Sequence, residues 1–258
     1  MIDIHSHIMP EIDDGSRSLE EAIEMARIAA SDGITQMVST PHMFNGLSVN
    51  PEPQEILDRV QSLNAALGDI ALKILPGNEV HISHEIAEQA RSGRVMKLNN
   101  RKYMLVEFPQ LTVPMGADEL FYKLQIQGTH PILVHPERNS QIQARPSIVA
   151  GLIERGVLIQ VTAMSVTGEF GPGPKICAEI LLRHNCVHFL ATDAHRSSRR
   201  PPILSKGRDA AAAIIGVTAA DKLVNANPLA IVSGEILNTE PPVSFTKAKS
   251  TFISRFFR

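Results

Sequence analysis

The chain has few cysteines and no long hydrophobic run. Cys177 and Cys186 are its only cysteines, which are too few for a disulfide framework, and their spacing fits no cysteine-based zinc motif. No stretch reaches the roughly 18 consecutive apolar residues of a membrane span, and the start MIDIHSHIMP lacks a basic segment followed by an apolar run. These absences predict a cytoplasmic protein without a transmembrane segment.

The chain also has little net charge. A formal charge of −2 gives no general electrostatic attraction to nucleic acid or to an anionic membrane, so any anion must be bound by a local cluster. The 258 residues, 43% of them hydrophobic, suffice for one large domain, and α/β barrels commonly reach this size undivided. The sequence leaves the oligomeric state open.

Short apolar or β-branched runs alternate with segments of helical periodicity. Seven runs are candidate strands: 2–5, 34–40, 71–75, 103–107, 131–135, 157–162 and 187–192. Six segments are candidate helices: 18–31, 55–67, 117–127, 146–156, 174–185 and 207–216. This alternation predicts a parallel sheet covered by helices, and seven or eight such units favour closure into a barrel.

The composition changes near residue 240. Two prolines, Pro241 and Pro242, open a segment in which four basic residues are interspersed with phenylalanines. We therefore predict a barrel domain over residues 1–240 and a mobile tail over 241–258. Contact of this tail with a membrane surface or a partner protein is the alternative, since Phe252 and Phe256 are spaced for one helix face.

Polar residues stand at the carboxyl ends of six of the seven candidate strands. These residues are His5 and His7, His42, Glu79, Glu107, His135, and Asp193 with His195. Asp14 lies in a loop after the first strand. Because barrel enzymes build their active sites from the carboxyl ends of their strands, we expect these nine side chains to converge.

Each of these motifs is ambiguous alone. An H-x-H pair such as His5 and His7 is also found on polar surfaces, and Asp13-Asp14-Gly15 is typical of a turn before a helix. Six strand ends with the same chemistry nevertheless favour a metal site. We interpret the other histidines as structural or solvated: His81, His84, His130, His184 and His188.

The charge of the predicted site indicates how many ions it holds. Four carboxylates packed together would repel one another and take up protons unless cations lay among them. Two divalent ions balance four carboxylates, and a third leaves a surplus that suits an anionic substrate such as a phosphate monoester. Nitrogen and oxygen ligands without a thiolate fit manganese, iron or zinc.

Two arginines support a phosphate substrate. Arg138 lies three residues beyond His135, and Arg200 lies five beyond His195, so both are expected at the same end of the barrel. Guanidinium groups match phosphate oxygens in geometry and charge.

Several motifs, in order along residues 1 to about 230, resemble one family. They are MIDIHSHIMPEIDDGS, STPH, GNEVH, LVEFP, LVHPERN, VTAMSVTGEFG, and ATDAH followed by RPP. The chain resembles the bacterial PHP-type tyrosine phosphatases, the CpsB/YwqE group of capsule and exopolysaccharide systems. This resemblance implies a distorted (β/α)7 barrel of the PHP fold, a single domain, with a trinuclear metal centre that is often manganese.

The resemblance also implies roles for individual residues. His5, His7 and Asp193 would hold one ion, and Glu79 would bridge it to a second ion held by Glu107 and His135. Asp14, His42 and His195 would hold the third, while Arg138 and Arg200 would bind phosphate. The partner it implies is a phosphotyrosine protein, such as the tyrosine-rich tail of a polysaccharide-assembly kinase.

Two departures from the family pattern bear on these roles. Glu11 stands where a glycine is frequent, and Arg196 follows DAH where an asparagine is common, so Arg196, Arg199 and Arg200 all compete as the second phosphate ligand.

The hypothesis is that a metal-bridging hydroxide attacks the phosphorus of phosphotyrosine. The alternatives are a small-molecule phosphatase of the histidinol-phosphatase type and a non-catalytic binding or scaffold module.

Overall fold

The computed structural model describes residues 1–46 and 50–245, and within them the chain forms a single-domain α/β fold. Its strands are β1 (Ile2–Ser6), β2 (Gln36–Ser39), β3 (His42–Met43), β4 (Lys73–Pro76), β5 (Glu79–His81), β6 (Tyr103–Glu107), β7 (His130–Val134), β8 (Leu158–Thr162) and β9 (Phe189–Ala191).

The helices lie mainly between these strands. They are α1 (Leu19–Ser31), α2 (Pro53–Ala66), α3 (Ile86–Arg91), α4 (Ala117–Gln125), α5 (Ser140–Ala144), α6 (Ser147–Ile153), α7 (Ala163–Thr167), α8 (Pro172–Arg183), α9 (Ser205–Ile215), α10 (Val217–Val224) and α11 (Ala226–Ser233). Two short 3-10 helices occupy Leu98–Asn100 and Pro136–Arg138.

All seven predicted strands and all six predicted helices are confirmed. Two predicted strands continue as short second strands, β3 and β5, because Pro41 and the pair Gly77-Asn78 interrupt the regular pairing. Among the described residues, five helices were not predicted, namely α3, α5, α7, α10 and α11, and each of them has eight residues or fewer. Short helices show too few turns for a periodic pattern to stand out.

The strands form two parallel sheets. One has the order β1-β2-β4 and the other has the order β3-β5-β6-β7-β8-β9. The chain passes between them from β2 to β3 and from β4 to β5. Hydrogen bonds also join β1 to the segment after β9, since the Asp193 N–H donates to the His5 carbonyl (2.9 Å) and the His7 N–H donates to the Ala194 carbonyl (2.8 Å). The predicted parallel α/β architecture is confirmed.

Alternate residues of the strands pack on opposite faces of the sheets. One face carries a small apolar cluster to which β6 contributes Tyr103 and Leu105 and β9 contributes Phe189 and Ala191. The opposite face packs against the helices in a much larger cluster. Glu107 lies two residues beyond Leu105 along β6, and Asp193 lies two residues beyond Ala191. The strand alternation therefore places both carboxylates directly above the small cluster.

The start of the predicted tail is packed against the domain. The Val243 N–H donates to the His184 carbonyl (2.8 Å), and the Phe245 ring stacks on the His184 ring with a centroid distance of 3.9 Å. Residues 241–245 thus contact the loop after α8, and the mobility expected of the tail stays a prediction. The rest of the predicted tail, 246–258, lies outside the described residues.

Within the described part of the chain, no helix is both long enough and apolar enough to cross a bilayer.

The close packing of α9 on α7 depends on a glycine. A Cβ added to Gly207 would lie 2.5 Å from the Ala163 Cβ and 2.8 Å from the Ala163 Cα. We expect Gly207→Ala to lower the free energy of unfolding by about 1–3 kcal/mol, because the two helices must separate. Urea denaturation measures this loss.

The matched control for Gly207→Ala is Gly151→Ala in α6. The nearest atom to a Cβ there is the flexible Arg155 Nη1 at 3.6 Å, so stability should stay the same or rise slightly. Equal effects of the two substitutions would contradict the packing account.

Candidate metal centre

The two histidines of β1 lie at the centre of the site, and both are completely buried. Their Nε2 atoms face each other at 3.3 Å. The His5 Nδ1 is 2.9 Å from the Gln160 Oε1, and the His7 Nδ1 is 2.8 Å from the Asp13 Oδ2. Both oxygens are acceptors, so each Nδ1 donates a hydrogen bond and each Nε2 faces the site, where it could bind an ion once deprotonated.

Two carboxylates lie beside these imidazoles. Glu79 is 1% exposed and Asp193 is 2% exposed. The His5 Nε2 is 3.4 Å from the Glu79 Oε2, and the His7 Nε2 is 3.3 Å from the Asp193 Oδ1. The side chains thus direct their acceptor atoms at one another, an arrangement that a cation between them would satisfy.

Three further residues surround the His7 side of the site. The Asp14 Oδ1 lies 3.5 Å from the His42 Nε2 and 3.4 Å from the His195 Nε2. The His195 Nδ1 is 3.0 Å from the Asp193 carbonyl oxygen, so this imidazole also directs its Nε2 inward. The His42 Nδ1 lies 2.8 Å from the Glu79 Oε2, which links this group to the central one.

The remaining two predicted ligands lie on the Glu79 side. The His135 Nε2 is 2.8 Å from the Glu79 Oε1 and 3.9 Å from the Glu107 Oε1. All nine predicted ligands are therefore brought together.

The donor atoms fall into four overlapping groups, in each of which they lie within 4.8 Å of one another. The groups are His7, Asp14, His42 and His195; His5, His7 and Asp193; His5, Glu79 and His135; and His42, Glu79 and Glu107. Donors about 2.1 Å from a shared ion would be separated by distances of this order. Each group could hold a metal ion, and the shared members would place neighbouring ions close together.

The histidines and carboxylates of the site shift one another's pKa values. Burial lowers the pKa of the His7 imidazole, but Asp13 and Asp193 outweigh burial and raise this pKa to about 9. Glu79 and Asp14 likewise outweigh burial and raise the pKa of His42 to about 11. In return, neighbouring imidazoles hold the pKa of Glu79 well below its usual range despite burial.

Three site residues have left-handed backbone conformations. The φ angle is 36° at His135, 51° at Asp193 and 63° at Arg200. Such angles are uncommon for residues with a side chain, and they cluster at functional sites. Here they turn the chain sharply as β7 and β9 end.

Both predicted phosphate-binding arginines lie at this site. Arg138 and Arg200 each donate a hydrogen bond to the Asp193 Oδ2, and Arg200 also donates to the Asp193 carbonyl oxygen at 2.9 Å. Arg196 turns away, donating instead to Glu21 and to the Asp14 carbonyl oxygen, and Arg199 is exposed. Of these three arginines, Arg200 is therefore the one that lies beside Arg138 at the site.

These groups open into a cavity of about 820 Å³. The cavity is lined by Arg138, Arg200 and seven of the predicted ligands, namely Asp14, His42, Glu79, Glu107, His135, Asp193 and His195. Both guanidiniums and most of the donor atoms therefore face the same space, where a small anion could contact both.

Sequence reasoning missed four residues at the site. Asp13 and Gln160 orient His7 and His5. Phe170 lies under both arginines. The His81 Nδ1 lies 3.5 Å from the Glu107 Oε2. His81, interpreted from the sequence as structural or solvated, thus lies beside a predicted ligand. The signal for it was available, because Glu79 and His81 alternate along β5 and so share a face.

Comparison with known proteins identifies relatives along almost the whole chain. A family model described as capsular polysaccharide synthesis, CpsB/CapC, matches residues 1–233. The tyrosine-protein phosphatase YwqE of Bacillus subtilis is 42% identical over 202 residues, which are 78% of this chain and 79% of YwqE.

Solved structures resemble the chain as well. One chain from the crystal structures of YwqE from Bacillus subtilis and CpsB from Streptococcus pneumoniae, described as unique metal-dependent tyrosine phosphatases, matches with a TM-score of 0.90 and 35% identity, covering 96% of this chain and 100% of that one. Histidinol phosphate phosphatase from Lactococcus lactis matches with a TM-score of 0.52 and 14% identity, covering 85% of this chain and 93% of that one, which indicates a shared fold alone.

Asp13 provides a test of the metal centre because its side chain fixes three groups. It accepts hydrogen bonds from the His7 ring, the Gly15 N–H (2.9 Å) and the His42 N–H (3.2 Å). We expect Asp13→Ala to weaken divalent-cation binding about 10- to 100-fold, since His7 loses the carboxylate that orients it. Competition with a chromophoric chelator measures the affinity.

Asp69→Ala is the control for Asp13→Ala, because Asp69 is exposed and lies outside the donor groups. Unchanged affinity in Asp13→Ala, or equal losses in both variants, would show that Asp13 does not support a metal centre.

Proposed function

The chain belongs to the CpsB/CapC family of capsular polysaccharide synthesis proteins, and on this premise we propose that it is a metal-dependent protein-tyrosine phosphatase, a phosphoric monoester hydrolase. One observation carries the proposal. Two guanidiniums and a dense set of nitrogen and oxygen donors open into one cavity. Cations and guanidiniums together are what a phosphate dianion requires.

The donor set fits divalent ions in its chemistry and in its burial. The Glu79 Oε2 and the His42 Nδ1 are buried and lie 2.8 Å apart in a geometry that forms no hydrogen bond, as expected of two atoms that would bind a shared cation. We propose three ions. His5, His7 and Asp193 would hold one, Glu79, Glu107 and His135 a second, and Asp14, His42 and His195 a third. Manganese is the ion we favour, with iron and zinc as alternatives.

Bound divalent ions would neutralise phosphate charge and lower the pKa of water at the site. The chain's own residues bind and orient the substrate. Arg138 and Arg200 share the Asp193 carboxylate in this structure. We propose that, with Asp193 as a metal ligand, both guanidiniums would donate to phosphate oxygens instead. Their two planar donor groups would fix the direction in which the phosphorus is attacked.

The leaving group explains why no strong general acid is needed. The tyrosine phenolate has a conjugate-acid pKa near 10, so it departs more readily than the alkoxide of serine or threonine. Neither cysteine serves as a nucleophile in this proposal. Cys177 is 1% exposed, Cys186 is 0% exposed, and burial raises the pKa of each thiol to about 12.

We propose that the two sheets together form the distorted seven-unit barrel of the PHP fold. The hydrogen bonds between the end of β1 and the segment after β9 support closure, and the passages from β2 to β3 and from β4 to β5 support continuity. The corresponding domain spans residues 1–240, with 241–258 as an appended segment.

The substrate we propose is a phosphotyrosine segment of another protein, such as the tyrosine-rich tail of a polysaccharide-assembly kinase, met in the cytoplasm. Two observations support it: YwqE is named a tyrosine-protein phosphatase, and the matching family model is described by capsular polysaccharide synthesis. The cavity volume of about 820 Å³ is sufficient for an aromatic phosphate ester.

A substrate panel with inhibitors tests this function. We expect the metal-loaded protein to release phosphate from a phosphotyrosine peptide much faster than from a phosphoserine peptide or histidinol phosphate. Chelator should abolish this activity, whereas thiol alkylation should leave it nearly intact because both cysteines are buried.

Three outcomes of the panel would contradict the proposal. Preference for histidinol phosphate would indicate a small-molecule phosphatase, and stoichiometric peptide binding without phosphate release would indicate a binding module. Inactivation by alkylation with resistance to chelator would exclude the metal-dependent reaction.

The arginines provide a second test. Arg138→Ala should lower turnover of the phosphotyrosine peptide roughly 100-fold or more, because a charged donor to the phosphate is lost, while the bound metal is retained. Steady-state kinetics and metal analysis on the same sample measure both quantities. Arg199→Ala removes an exposed arginine from the same region and should leave turnover unchanged. Turnover that is insensitive to Arg138→Ala would remove this residue from the phosphate site.

A further inference from the structure

The loop after β8 contributes an aromatic ring where the other strand ends contribute ligands. β8 ends at Thr162, and no histidine, aspartate or glutamate of this strand end is among the described donor groups. The chain continues through α7 and reaches Phe170 just before α8 begins at Pro172. Gly168 and Gly171 on either side have φ angles of 96° and 93°, which turn this loop back toward the neighbouring strand ends.

Both arginines of the site lie over the Phe170 ring. The guanidinium carbon of Arg138 is 5.2 Å from the ring centroid, and that of Arg200 is 5.4 Å from it. Both distances are within the range of cation–π attraction, about 6 Å. One ring therefore contacts two cations that come from different strand ends and that meet at Asp193.

The backbone around this ring is tied to the Arg138 turn. The buried Glu137, next to Arg138, accepts hydrogen bonds through its Oε1 from the Thr162 N–H (3.0 Å) and the Ser165 hydroxyl (2.6 Å). On the other side, the Arg200 carbonyl accepts a hydrogen bond from the His195 N–H (3.0 Å), which closes the loop that carries Arg200. The ring and both guanidinium groups are thus held on connected supports.

We propose that Phe170 is a positioning residue that holds Arg138 and Arg200 side by side for phosphate. This inference rests on the proposed phosphatase function, since it assigns the arginines to phosphate oxygens. A long arginine side chain loses considerable rotamer freedom when it is fixed. The π-face of Phe170 stabilises both guanidiniums where they are needed, whether their anionic partner is Asp193 or phosphate.

The attraction requires an aromatic face and not only an apolar volume. Leucine and methionine would fill the space under the arginines without a negative quadrupole, whereas tyrosine would keep the ring. Phe170→Leu and Phe170→Met therefore test the aromatic role, and Phe170→Tyr is the matched control.

Binding of inorganic phosphate to the metal-loaded protein, followed by calorimetry, is the experiment. We expect Phe170→Leu and Phe170→Met to weaken phosphate binding about 5- to 30-fold, and Phe170→Tyr to bind within about 3-fold of the unsubstituted protein. Metal content and the thermal unfolding midpoint should be the same in all four proteins.

A double-substitution cycle separates positioning from general loosening. In a chain that already carries Arg138→Ala and Arg200→Ala, Phe170→Leu should have little further effect on phosphate affinity, because the ring has lost both of its cations. An equal effect in both backgrounds would overturn the proposal. So would phosphate affinity that is unchanged in Phe170→Leu and Phe170→Met, or a loss in Phe170→Tyr as large as theirs.

The same measurements distinguish this proposal from the phosphatase assignment. If phosphate binding depends on Phe170 but the protein hydrolyses no phosphotyrosine peptide, the phosphatase assignment is rejected and the positioning role of Phe170 stands. If the peptide is hydrolysed rapidly but phosphate affinity does not depend on Phe170, the phosphatase assignment stands and the positioning role is rejected.

Discussion

Carboxylates buried side by side stay ionised only when cations lie among them, and this constraint governs the structure. Glu79 and Asp193 are almost fully buried and lie against one set of imidazoles. In the absence of metal, protons on those imidazoles and the guanidiniums of Arg138 and Arg200 supply the positive charge, so the pKa of His7 and His42 is raised and that of Glu79 is lowered. Divalent ions would replace these protons, which couples metal binding to proton release.

The fold provides the positions that this constraint demands. Parallel strands end at one edge of the sheet. Along β6 and β9, side chains of the small apolar cluster are followed on the same face by Glu107 and Asp193. Buried acceptors complete the arrangement, since Asp13 and Gln160 fix the tautomers of His7 and His5. The same polar edge then receives the arginines, so that the substrate's phosphate would meet metal ions on one side and guanidiniums on the other.

The convergence of these side chains could be predicted from sequence because the candidate ligands follow a simple rule, namely a His, Asp or Glu where a buried strand ends. The rule failed where loop geometry decides. Asp13 and Asp14 are equivalent in sequence, yet one orients His7 and the other reaches His42 and His195. Phe170 lies eight residues beyond β8, and no period connects it to Arg138. The strand breaks at Pro41 and Gly77 divide the sheet in a way that propensity alone did not show.

The central claim is that nine side chains gather divalent ions at one edge of this sheet. Crystallographic anomalous differences collected above and below the manganese absorption edge, from manganese-loaded protein, test it most directly. The account predicts three peaks, one among His5, His7 and Asp193, one beside Glu79, Glu107 and His135, and one among Asp14, His42 and His195. Absence of peaks among these residues, with manganese bound elsewhere or not at all, would contradict it.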